Sequence, residues 1–237
     1  MTNVENKMLK DLISIYDSSN PATEAYRALR TNIMYKNFDA PIKVINITSA
    51  TQGEGKSTTC LNLAVVFSQL NKKVLVMDLD LRIPTIHKKL RIRNTMGITD
   101  LLNGRATVDN VVKPVFKNID VITTGTKIIY HSEFIQSTAL MNFIERMKDE
   151  YDIILLDCPP VGIVTDALIV SKYSDGTILV CESDKNDKKT LIRVKYQFDE
   201  VESKVLGVVI TKADFGKKYY SHYNYQYQPK ARKRKKK

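Results

Sequence analysis

An apolar run from Ile42 to Ile47 leads into Ala50-Thr51-Gln52-Gly53-Glu54-Gly55-Lys56-Ser57, and Thr58 to Leu70 follows with helical periodicity. Strand, glycine-bearing loop, Lys-Ser and helix in that order make the P-loop arrangement. Its chemistry is specific. Backbone N–H groups from Gly53, Glu54, Gly55, Lys56, Ser57 and Thr58, at the positive end of a helix, surround a polyphosphate. Lys56 reaches the β- and γ-oxygens, and the Ser57 hydroxyl ligates Mg²⁺. Ala50 stands where many such loops have glycine, a tolerated variation. An ordinary glycine turn before a helix would not need the Lys-Ser pair. The chain is therefore expected to bind a nucleoside triphosphate.

A chain of 237 residues is large enough for one α/β domain with tails. Cys60, Cys158 and Cys181 show no metal or pairing spacing and lie in apolar segments, as buried free thiols do. No apolar run approaches the ~18–20 residues needed to span a bilayer, so membrane association is expected through a partner or the surface. The net charge of +11 is not spread evenly. Gly216 to Lys237 carries nine of the Lys and Arg residues and no acid, leaving 28 basic against 26 acidic side chains elsewhere. A near-neutral body argues against a specific nucleic-acid face.

Strands are expected at 42–48, 73–79, 119–123, 152–157, 176–182 and 204–211, and helices at 24–38, 56–70, 133–149, 165–173 and 187–200. Alternation of this kind implies right-handed crossovers and a mainly parallel sheet with helices on both faces, an α/β fold of P-loop NTPase type. The Val-, Ile- and Leu-rich strands show little alternation, as strands covered on both faces do. The expected organisation is an N-terminal segment over 1–40, a core over 41–214, and a flexible tail over 215–237 rich in Tyr, Lys, Gln and Asn.

Two further strands end in carboxylates, where open α/β sheets build their sites. Val74-Leu75-Val76-Met77 runs into Asp78, with Asp80 two residues on, and Ile153-Ile154-Leu155-Leu156 runs into Asp157. Mg²⁺ prefers hard oxygen ligands, so acids near Ser57 are chemically required. Asp157 and Asp78 are candidate metal-site residues. Alternation puts Asp78 and Asp80 on one side of the backbone, near the γ-phosphate.

These residues resemble the bacterial tyrosine kinases of capsule and exopolysaccharide synthesis. The likeness rests on the P-loop, on Asp78-Leu79-Asp80-Leu81-Arg82 with Pro84 and His87, on Asp157-Cys158-Pro159-Pro160 and on Thr165-Asp166-Ala167. It implies an ATP- and Mg²⁺-dependent autokinase in which Lys56, Asp78 and Asp80 are catalytic. Glu24, Arg27 and Arg30 match the family's E-x-x-R-x-x-R motif and share one side of a helix, which implies ring-like self-association. Tyr219, Tyr220, Tyr223, Tyr225 and Tyr227 crowd into nine residues of the tail. The resemblance makes them phosphoacceptors for a neighbouring subunit, beside other protein tyrosine substrates. It also implies a separate cytoplasmic catalytic subunit, held at the inner face of the membrane by a transmembrane adaptor.

Three rivals and one departure accompany the resemblance. A MinD/ParA-like ATPase shares the fold, but its signature lysine early in the loop is Thr51 here. A GTPase is raised by Thr211-Lys212-Ala213-Asp214, which is similar to the [NT]-K-x-D box that reads guanine. A nucleotide-regulated scaffold docking Lys230 to Lys237 on anionic membrane is the third; a solvated charge run is the bland reading of those residues. Finally, the family's proline-rich stretch is replaced by Lys127 to Phe134, which holds no proline.

Overall fold

In the computed structural model the described residues are 12–35, 41–185 and 188–213. The tail with its tyrosine cluster and basic run lies outside them, as does residue 36 onward of the expected first helix. Among the described residues seven strands form one sheet: β1 (Val44–Ser49), β2 (Val74–Asp78), β3 (Val112–Phe116), β4 (Ile119–Ile122), β5 (Ile153–Asp157), β6 (Gly176–Glu182) and β7 (Val205–Thr211). Their spatial order is β3-β4-β2-β5-β1-β6-β7. Every pairing is parallel except β3 with β4.

The six expected strands are present, and β3 is the addition. Lys113 and Pro114 break its apolar run, and a proline is tolerated there because β3 occupies a sheet edge. All positions of β1, β2 and β5 are buried, which explains why their sequences lack alternation. The longer helices are α1 (Pro21–Tyr35), α2 (Lys56–Ser68), α3 (Thr138–Glu150), α4 (Asp166–Ser171) and α5 (Lys188–Glu200). The helix expected over 133–149 is two: a short His131–Ile135 helix, then α3, which opens where the Ser137 side chain accepts from Leu140 N–H.

Helices cover both faces. Phe143, Met147, Ala167, Val170, Val194 and Phe198 from α3, α4 and α5 pack into one apolar layer. Leu61, Leu63, Val66 and Phe67 of α2, with Ile33 of α1, pack into the other. Cys60, Cys158 and Cys181 are buried and free, as the sequence implied. No described helix is long and apolar enough to cross a membrane.

The topology aims three strand ends at one place. Ile47 of β1 and Asp78 of β2 are both register partners of Asp157 in the intervening β5. The loop after β5 closes against the loop after β1: Val161 N–H donates to Ser49 O at 2.8 Å, and Gly162 lies so near that an added Cβ would sit 2.2 Å from Ala50 O. Overpacking of this kind costs about 1–3 kcal/mol. Gly162→Ala should therefore lower the melting temperature by about 2–10 °C. Thermal unfolding followed by circular dichroism measures it, and an unchanged midpoint would contradict the contact.

Candidate active site

The loop after β1 takes its shape from two glycines in left-handed conformation, Gly53 at φ 80° and Gly55 at φ 92°. Gly55 then caps the N-terminus of α2, so Lys56 and Ser57 occupy its first turn. Between the glycines Glu54 is fully buried, and its carboxylate accepts from Thr51 N–H at 2.7 Å. The carboxylate thus ties the loop to itself rather than facing a ligand.

Lys56 is the electrostatic centre. Its Nζ lies 2.8 Å from Asp80 Oδ2 and 3.4 Å from Asp157 Oδ1, and all three side chains are buried. Burial alone would lower the lysine pKa, but Asp157, Asp80 and Asp78 outweigh it and hold the ammonium well above its usual range. Burial raises the Asp157 carboxyl above the usual value; Lys56 and the Ser57 hydroxyl offset it only in part. Asp78 is pushed well up, first by burial and then by the charge of Asp157.

Asp78 and Asp80 have different surroundings. Asp78 Oδ2 accepts from the N–H groups of Thr85 and Ile86, both at 3.1 Å, and so holds the start of the short Ile86–Leu90 helix. Its Oδ1 accepts from Asp80 N–H at 3.2 Å. Asp80 lies beyond the end of β2, and its carboxylate turns to Lys56 and the cleft. The Ser57 hydroxyl accepts from Thr85 Oγ1 at 2.7 Å. Among the described residues Asp157 Oδ2 is a buried oxygen with no hydrogen-bond partner.

Around this cluster lies a cleft of about 400 Å³. The loop, Asp80 and Lys212 line it on the polar side, while Ile83, Pro159, Pro160 and Ile163 provide an apolar wall. Among the described residues no group of three or more His, Cys, Asp and Glu side chains is arranged to hold a metal ion by itself. Mg²⁺ usually takes one or two protein oxygens and completes its shell with waters and phosphates. The Ser57 hydroxyl and the partnerless Asp157 oxygen fit that use.

Several expected residues have partners the sequence did not reveal. Arg27 pairs with Glu24 and donates to Ser18 O, on the exposed side of α1. Arg30 instead donates to Val66 O of α2 at 2.7 Å, so it binds the P-loop helix within the same chain. Asp166 accepts from Arg82 Nε at 3.3 Å and from Ser132 Oγ at 3.0 Å, joining α4 to the segment after Asp80. Thr211 and Lys212, in the sequence that resembles a guanine box, donate to Glu54 O and Gly53 O of the loop; Asp214 lies outside the described residues.

A family model described as AAA domain matches residues 42–206. The tyrosine-protein kinase YwqD of Bacillus subtilis is 36% identical over 223 residues, covering 94% of this chain and 92% of that protein. Among solved structures, the chimerical protein CapA2B2 superposes with a TM-score of 0.82 at 34% identity, covering 85% of this chain and 89% of the other. The kinase domain of the Escherichia coli tyrosine kinase ETK gives 0.80 at 28%, covering 86% and 82%. MinD of Pyrococcus furiosus is more distant, with a TM-score of 0.61 over 73% of this chain.

The raised Asp157 carboxyl sets a pH dependence. In the folded chain it keeps its proton at pH values where the unfolded chain, with a pKa near 3.8, has lost it. Folding stability attributable to it therefore falls as pH rises above about 4. Asp157→Asn removes that penalty. In metal-free buffer the variant should melt above the parent at pH 7, with the gain shrinking towards pH 4. Melts at both pH values decide it; equal midpoints at pH 7 would oppose the assignment.

Proposed function

This chain belongs to the bacterial tyrosine-protein kinases, and from that premise we propose that it is an ATP- and Mg²⁺-dependent autokinase whose acceptors are Tyr219, Tyr220, Tyr223, Tyr225 and Tyr227 of a neighbouring copy. The observation that carries the reading is Lys56, held between Asp80 and Asp157 at the root of the loop. The loop amides of residues 53–58 and Lys56 bind the β- and γ-phosphates. Ser57 and Asp157, with Asp78 behind them, would hold Mg²⁺, which would neutralise phosphate charge. Asp80 lines the cleft and orients the tyrosine hydroxyl, while Asp78 fixes the Thr85–Ile86 segment beside Ser57. The tyrosine oxygen forms the new bond to the γ-phosphorus as the β–γ bridging oxygen departs with ADP. The phenolic proton passes to the Asp80 carboxylate. Phosphoryl transfer depends chiefly on position and charge stabilisation, which suits a site of fixed ion pairs.

The reading extends to the whole chain. Residues 1–40 serve self-association, 41–214 form the kinase core, and 215–237 are the substrate tail. The absence of a membrane-crossing helix among the described residues fits attachment at the inner membrane surface through a transmembrane adaptor. There the chain regulates capsule or exopolysaccharide synthesis. Thr51 in place of the partitioning ATPases' lysine, and the smaller structural overlap with MinD, favour the kinase over that alternative.

Two experiments test this. Lys56→Met should lower tail phosphotyrosine at least about 100-fold, the order lost with a key charge-stabilising donor. Mass spectrometry of the full chain after incubation with ATP–Mg²⁺ measures it. Mixing that variant with a chain bearing Phe at the five tail tyrosines should restore phosphate on the Lys56→Met tail. Persistent phosphotyrosine in Lys56→Met alone refutes the assignment. For assembly, Arg27→Ala should reduce the mass seen by light scattering with little change in melting temperature. Arg30→Ala strands a partnered carbonyl and should lower the melting temperature by about 2–10 °C.

A further inference from the structure

Five consecutive carbonyl oxygens of the phosphate loop, Thr51 to Gly55, each accept a hydrogen bond. Thr51 O accepts from Ser49 Oγ at 2.7 Å, and Gly55 O accepts from Thr59 N–H at 2.8 Å. The three between them are taken by side chains at the ends of β6, which pairs with β1, and of β7 beyond it. Lys185 Nζ, just beyond β6, donates to Gln52 O. Lys212 Nζ, just beyond β7, donates to Gly53 O at 3.3 Å. Thr211 Oγ1, the last residue of β7, donates to Glu54 O at 2.7 Å. Thr211 also packs against the loop, since a Cβ on Gly55 would meet its Cγ2 at 3.3 Å. Glu182 ties the two lysines together, with Oε1 2.9 Å from Lys212 Nζ and Oε2 3.4 Å from Lys185 Nζ.

In a trans peptide the C=O and the following N–H point in opposite directions. Drawing the oxygens of Gln52, Gly53 and Glu54 towards β6 and β7 therefore turns the N–H groups of Gly53, Glu54 and Gly55 away from those strands. Gly53, Gly55, Lys56 and Ser57 line the cleft; Lys212 also reaches its rim, whereas Lys185 and Thr211 do not line it. An anion-binding nest is formed by such a run of inward amides, and donors fixed beforehand bind without reorganisation.

We infer that Lys185, Thr211 and Lys212 are positioning residues that hold the phosphate loop in its nucleotide-binding shape from the backbone side, with Glu182 as the link between the lysines. Thr211 and Lys185, which do not line the cleft, act on the nucleotide's phosphates through the loop, and Lys212 does so from the cleft rim. The inference rests on the proposed nucleotide binding at residues 53–58 and adds the origin of that loop's affinity.

Calorimetric titration of the full chain with ADP–Mg²⁺, and KM values for ATP and for a tyrosine peptide, test it. Thr211→Val keeps the shape and removes only the hydroxyl; it should weaken ADP binding about 3- to 10-fold, as loss of a neutral hydrogen bond does. Lys212→Met, which loses a charged donor, should weaken it by about 10- to 100-fold. Lys185→Met should act in the same direction, and its half-exposed side chain keeps that variant folded. Each should raise KM for ATP and leave KM for the peptide unchanged. Thr211→Ser and Lys212→Arg should restore binding. Unchanged ADP affinity in folded Thr211→Val and Lys212→Met overturns the inference while the kinase reading stands. A parent chain that binds no nucleotide overturns both. Losses confined to the lysine variants and abolished by salt would assign a charge effect and overturn the loop-shaping role.

Discussion

A lysine ammonium shut in among three carboxylates is the interaction on which the rest of the sheet end depends. Lys56, Asp78, Asp80 and Asp157 are all buried, although removing charges from water is costly unless they are paired and hydrogen-bonded. Lys56 offsets part of that cost for Asp80 and Asp157, and backbone amides offset part for Asp78. The balance is incomplete, since both Asp78 and Asp157 remain raised. A domain keeps such a cluster against its own stability, and charged phosphates with a cation are the kind of ligand that repairs the imbalance.

Neighbouring elements serve this cluster. Fully buried β1, β2 and β5 supply a rigid base, and the loops beyond them bring Ser57, Thr85 and Pro159 into one cleft. Arg82, Ser132 and Asp166 lock the segment after Asp80 to α4. On the opposite side Arg30 fastens α1 to the C-terminal part of α2. The same helix that offers its N-terminus to phosphate is thereby anchored to the segment that carries the half-buried Glu24–Arg27 pair.

What the sequence disclosed was whatever is local. The parallel strands appear as Val, Ile and Leu runs because each is covered on both faces. The P-loop is legible because its loop, Lys-Ser and helix are contiguous. β3 escaped because an edge strand needs no unbroken apolar pattern and tolerates Pro114. The break before α3 was hidden in Ser137, a capping residue within an otherwise helical pattern. Two-residue spacing placed Asp78 and Asp80 together, but the chain leaves the strand after Asp78, so their surroundings diverge. Thr211 and Lys212 caught notice for a base-reading resemblance, whereas their bonds reach across more than 150 positions to the loop carbonyls. Contacts of that range leave no trace in local spacing.

The register of β2 against β5 has one more consequence. Asp78 and Asp157 meet because the two strands align residue for residue from Val74 with Ile153 onward. A slip of one residue would turn every side chain of a strand to the opposite face. In a fully buried strand such a slip exchanges one apolar residue for another, so packing is a weak guard against it. The acids at the strand ends are intolerant of that error, because only one alignment brings them to the lysine. The strand-end acids thus add a register constraint to the sheet's centre that its apolar faces alone do not supply.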